Sequence, residues 1–259
     1  MIVSSVAGCR SDGGRQSGDL GWPEIFKELR IQWSAEPGIE LVSGVAVPAR
    51  AYFESRLLLQ FTGDPNYAYP GFSEAVAPNE AADSPNIAAR DRRPDLTNNE
   101  SSRTTVGNIR FHVLSDEEAQ GTTTVTICRY IYAAGEQRNA DNFVSVVDWG
   151  PSESRGITAM RAMIAPVSEP TDFSEPQAGP EPSPRTDVFK GWKVTGFLAS
   201  SGSDYVSQAW PDYQAADAAC LKKAPDPTER REFLTTGEHP RSDFPTSPPS
   251  PGWPEAPTE

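Results

Sequence analysis

Chemistry in this chain is carried by few residues: three cysteines, two histidines and a small set of aromatics. His112 lies on an alternating stretch, on the side opposite Ile109 and Phe111, so it can face a cavity. Nothing in the local sequence places a carboxylate beside it. Tyr130, Tyr132 and Trp192, with the cluster Tyr67, Tyr69 and Phe72, supply apolar area with polar tips and are candidates to line a small apolar pocket. The same aromatics can equally be core. Two distant histidines and three scattered cysteines make no metal spacing. Gly-x-Ser-x-Gly, a phosphate-cradling glycine loop and a dinucleotide fingerprint are all missing, so no cofactor is expected.

The cysteines bear on compartment. Val6-Ala7-Gly8-Cys9 has the form of a bacterial lipobox, in which the Cys is acylated and becomes the mature N-terminus. A polar, Gly/Ser-rich run from Arg10 to Gly18 follows, as a tether would. No Lys or Arg precedes Cys9, so a full signal sequence would need a start upstream of Met1. The alternative is an idle thiol. If Cys9 carries lipid, Cys128 and Cys220 remain. They either form a disulfide bond between a strand and a C-terminal helix, which an exported protein could keep, or act as two small buried thiols.

The element that must position these groups is Thr122 to Ala134, a β-branched and aromatic run bounded by Gly121 and Gly135. It reads as a central strand with Val125, Ile127, Arg129 and Ile131 on one face and Thr126, Cys128, Tyr130 and Tyr132 on the other. Helices are expected on the first face, and a shallow polar-aromatic hollow on the second. Further strands are predicted over 103–115, 142–149, 156–167 and 187–200. Helices are predicted at Trp22–Leu29, opened by Pro23, at Pro48–Phe61, at Ser73–Val76 and at Tyr213–Lys223. Residues 78–102 and 166–186 read as mobile loops. Asn99-Glu100-Ser101 matches a glycosylation acceptor, a pattern too common to use.

The 259 residues carry 25 prolines, concentrated at 166–184 and 225–257, which is too much proline for core throughout. The sequence therefore divides into a tether (1–21), one α+β domain (22–224) and a disordered Pro-rich tail (225–259) with polyproline bias, more spacer than docking arm. A net charge of −13 disfavours nucleic acid as a partner.

Helices first, then a run of antiparallel strands, then a short helix: this order resembles the cystatin-like roll of the NTF2-like superfamily, over roughly Pro48 to Lys223. With the Cys-bearing strand, the Tyr-rich segment and the exported start, the chain is similar to uncharacterised lipoproteins of actinobacteria, mycobacteria especially. The resemblance implies N-terminal helices packed on one face of a curved antiparallel sheet. It also implies an extracytoplasmic module, anchored to the cell membrane through Cys9, that binds a small apolar ligand or an envelope protein. Members of this superfamily are functionally mixed; some are scaffold subunits, and its enzymes place an Asp or a His-Asp pair in the cavity. Here that would draw on His112, Asp148 and Asp204, of which the two aspartates are more simply turn residues. A non-catalytic module is the first expectation.

Overall fold

A strand opens the domain where a helix was predicted. The computed structural model describes residues 21–97, 103–167, 173, 175–201 and 205–255. The lipobox with Cys9, the acceptor at 99–101 and Asp204 lie outside them. Pro23 initiates only a single 3₁₀ turn, Glu24–Phe26, and β1 then runs from Glu28 to Ala35. The reason is periodicity: Leu29, Ile31 and Trp33 point inward while Arg30, Gln32 and Ser34 point away, a repeat of two that no helix can bury.

Helix α1 follows (Ala46–Thr62), closed by Gly63, whose φ of 66° puts it in the left-handed region favoured at a helix end. After the short α2 (Phe72–Ala75) come β2 (Thr105–Ala119), β3 (Thr122–Tyr130), β4 (Ala134–Gln137), β5 (Asn142–Ser145), β6 (Ile157–Pro166) and β7 (Trp192–Ala199). Helices α3 (Val206–Ala209), α4 (Tyr213–Lys222) and α5 (Thr228–Leu234) and the two-residue β8 (His239–Pro240) complete the chain. The class is α+β: a large eight-stranded sheet, mostly antiparallel, with few helices.

The sheet order is β7-β6-β3-β2-β4-β5-β8, and β1 pairs with β2 in parallel from Glu28↔Val106 to Ala35↔Val113. Because β1 overlaps the stretches of β2 that pair with both β3 and β4, it must lie on the flank opposite them. One face of the sheet carries Trp33, Phe111 and Phe197 against Phe53 of α1, with ring centroids 6.3 to 6.4 Å apart. Arg129 shares this face, and burial pulls its guanidinium down to about 10.

The other face is largely covered, which leaves only a small cleft at the sheet edge in place of a broad hollow. Helix α4 lies over β3 and β6 there, tied to β3 by a disulfide bond between Cys128 and Cys220. Tyr130 and Tyr132 are buried beneath this cover.

The Pro-rich tail is not disordered over its described part, 225–255. It forms α5 and β8, buries Phe244 and Trp253, and then runs along the free edge of β1. There the Trp33 N–H donates to Ser250 O, and Ser250 N donates to Ile31 O at 3.4 Å. Proline backbone lacks donors but keeps its carbonyls, and these are what the rest of the fold grips. Arg50 of α1 donates to Pro251 O and Gly252 O at 2.8 and 2.9 Å, and to Leu41 O and Gln177 O. One helix turn on, buried Glu54 accepts from Trp33 Nε1 (2.6 Å), Tyr69 Oη (2.8 Å) and Trp253 Nε1 (2.8 Å).

The same clasp gathers the described part of the segment read as a mobile loop at 166–186. Gln177 N donates to Val42 O, Tyr69 Oη reaches Pro182 O, and Glu181 bridges to Trp253. Loop 78–97 is likewise folded back on α1, with Arg56 holding Asp91 O and Arg92 O. Every residue of α1 from Ala46 to Leu59 is buried in consequence.

Candidate functional site

The parallel register of β1 and β2 sets Ser34 directly beside His112. Both point away from α1, as do their neighbours two residues earlier, Gln32 and Arg110, so four polar side chains share one surface. Tyr130 of β3 extends that row, and Lys223 and Pro225, just after α4, close it. The result is a cleft of about 280 Å³ at the sheet edge, bordered on the tail side by Ser250.

His112 is held from both ring nitrogens. Ser34 Oγ lies 2.8 Å from Nδ1, and Glu36 Oε1 lies 2.8 Å from Nε2. Lys223 makes an ion pair with the same Glu36 oxygen. The Lys223 contact first, and His112 second, hold the Glu36 carboxyl below its ordinary value of 4.5, so it is ionised at neutral pH. A carboxylate only accepts hydrogen bonds, so Nε2 carries a proton; in the neutral ring Nδ1 is then bare and faces the Ser34 hydroxyl. Ser34 Oγ also has Phe111 O at 3.4 Å, a longer and weaker contact than the one to Nδ1. Ser34 itself is exposed, while the His112 side chain is largely covered. The remaining charges at the cleft are matched, since Arg110 pairs with Asp226.

Of the residues singled out as pocket candidates, His112 and Tyr130 do meet in this cleft. Tyr130 offers little surface to it, being 2% exposed with its hydroxyl donated to Cys220 O at 2.9 Å. Tyr132 packs edge-on against Tyr130, ring centroids 6.3 Å apart, and is fully buried rather than lining the cleft. Burial raises the phenol pKa of both. Trp192 is at the far edge of the sheet, on β7, where it lines a separate shallow hollow of about 90 Å³ beside Gly71 and Asp187. Asp148 is exposed in the loop after β5 and touches none of this. Among the described residues, no three His, Cys, Asp or Glu side chains gather as metal ligands would, and no helix is long and apolar enough to cross a membrane.

Ser34, Glu36 and Lys223 are the site residues that sequence reasoning passed over. The signal for two of them was present. Gln32, Ser34 and Glu36 are spaced by two, so reading this segment as a strand aligns them on one face. Lys223 had no such signal, because only the packing of α4 brings it there. The arrangement as a whole presents a hydroxyl to an imidazole that a carboxylate orients, at the mouth of a small electroneutral cleft. In comparison with known proteins, the chain matches no family model, no curated protein and no solved structure.

Proposed function

We propose that this chain is an extracytoplasmic module of the NTF2-like kind, anchored to the cell membrane by lipid on Cys9, and that it takes a small, partly apolar ligand in the cleft around His112. The observation that carries the compartment is the Cys128–Cys220 bond, buried between β3 and α4. Bonds of this kind persist where the surroundings are oxidising. With those two cysteines paired, Cys9 is the one left over, at the position a lipobox requires. Support for the NTF2-like reading comes from α1 laid across a large, mainly antiparallel sheet. Support for the ligand comes from the cleft, where Pro225 and a small part of Tyr130 border Gln32, Ser34 and His112, which give hydrogen-bonding partners.

The competing reading, a scaffold that reaches partners through its Pro-rich end, is weakened because Ser250 and Trp253 are already engaged within the fold. Mass spectrometry of the full chain purified from membranes of its host tests the proposal. The expected spectrum has diacyl mass on Cys9, no alkylation at Cys128 or Cys220 without reductant, and an adduct present under native conditions only. Unmodified Cys9 with both other cysteines alkylated would overturn the compartment, and a native spectrum without an adduct would count against the ligand.

A further inference from the structure

Ser34, His112 and Glu36 together have the parts of a nucleophilic relay. We propose that the cleft is a hydrolytic site, with Ser34 as nucleophile, acting on small uncharged carboxylic esters. The proposal rests on the cleft being the working site, as above, and adds a reaction to it.

Three observations carry it. The hydroxyl is exposed, as a nucleophile must be, and lies 2.8 Å from a ring nitrogen. The other ring nitrogen is fixed at 2.8 Å by a carboxylate that Lys223 keeps ionised, which sets the tautomer and stabilises the imidazolium as it forms. The three residues come from the adjacent strands β1 and β2 and from the residue following β1, so a rigid sheet rather than a loop sets their spacing. The hydroxyl meets Nδ1 and the carboxylate Nε2, the reverse of the commoner assignment. The relay requires only one bare nitrogen facing the hydroxyl and one N–H held by a carboxylate. Charges around the cleft cancel in pairs, Arg110 with Asp226 and Lys223 with Glu36, which suits a neutral ester better than an ionic substrate.

The step balances as follows. Ser34 Oγ forms a bond to the ester carbonyl carbon while its proton passes to His112 Nδ1, and the carbonyl electron pair moves onto oxygen. Arg110 and Lys223 both line the cleft, each already paired with a carboxylate, Asp226 and Glu36. Collapse breaks the bond to the alkoxy group, which leaves as an alcohol with the proton from Nδ1, and the acyl group stays on Ser34. Water then adds with its proton taken by Nδ1, and the acid departs as that proton returns to Ser34.

The test is intact-mass labelling of the full-length, disulfide-bonded chain with a fluorophosphonate, which phosphonylates activated serines with loss of fluoride. One adduct is expected, mapping to Ser34 by peptide sequencing, absent in Ser34→Ala and slowed at least 100-fold in His112→Gln. Hydrolysis of p-nitrophenyl acetate should fall in parallel. Both variants change partly exposed groups, and unchanged thermal melting would show that they remain folded. No adduct on Ser34 in the wild type, or labelling of Ser34 at the same rate in His112→Gln, would overturn the proposal. An unlabelled wild-type chain that still carries its native-only adduct would lose the reaction alone, whereas loss of label and adduct together would remove the cleft as a site.

Discussion

The guanidinium carbon of Arg50 sits 4.3 Å from the ring centroid of Trp253, joining the first long helix to the end of the described chain. Glu54, one turn along α1, binds the same indole through Nε1. Its other oxygen accepts from the Trp33 indole. An amide cannot replace this carboxylate, because one of its two ends would present NH₂ to an indole N–H, which is donor only. Glu54→Gln should destabilise the fold by about 1–3 kcal/mol, the range for leaving a buried donor without its acceptor, and Trp253→Ala by about 3–5 kcal/mol through lost packing. Urea unfolding followed by tryptophan fluorescence measures both. An effect under 1 kcal/mol for Glu54→Gln would mean that the carboxylate holds nothing in place.

Cys128 and Cys220 close a loop with a sequence separation of 92. Constraining an unfolded chain over such a loop is worth about 4–5 kcal/mol in the chain-entropy account. The double variant Cys128→Ala/Cys220→Ala should lose about that much in denaturant melts, with α4 the first element to exchange its amide hydrogens. Protection of α4 equal to that of β3 in the variant would count against the bond as what pins the helix.

The Glu36 carboxyl titrates below its usual range because Lys223 and His112 stabilise its charge. A depressed acid in the folded state contributes stability above its unfolded value, and that contribution is lost as pH falls through the folded value. The melting-temperature difference between wild type and Glu36→Gln is therefore expected to shrink steadily as pH falls below about 5. A difference that grows on acidification would reverse the sign of this linkage.

Gly135 of β4 has no room for a side chain, since an added Cβ would stand 2.6 Å from Cδ2 of the fully buried Phe244 ring. Gly135→Ala should push that ring out at a cost of about 1–3 kcal/mol, and expose the segment after β8 to protease. Limited proteolysis at a temperature well below the melt should show cleavage near Phe244 in the variant and not in the wild type. Equal resistance would place the steric relief elsewhere.

Local pattern was sufficient for much of the sheet. Ile109, Phe111 and Val113 face α1 as their alternation requires, and the β3 faces divide as the residue types foretell. Two things were hidden. Pro23 followed by acidic residues imitates a helix start, which obscured β1 and with it Ser34 and Glu36. The segment from Pro225 has the composition of an unfolded chain, and its order comes from Arg50, Glu54 and Asn108, partners far away in sequence that no local window contains. His112 and Tyr130 were identifiable as neighbours because β2 and β3 are consecutive. Trp192 was not separable from them, because strand order across the sheet, rather than along the chain, puts it on the opposite edge.

The seam between Ser250 and β1 also sets an order of events. Synthesis delivers β1 early and Trp253 late, so the carboxylate of Glu54 and the free edge of β1 wait for their partners until nearly all of the described chain exists. A domain sealed by residues so late in the described chain can complete its packing only once they have been made.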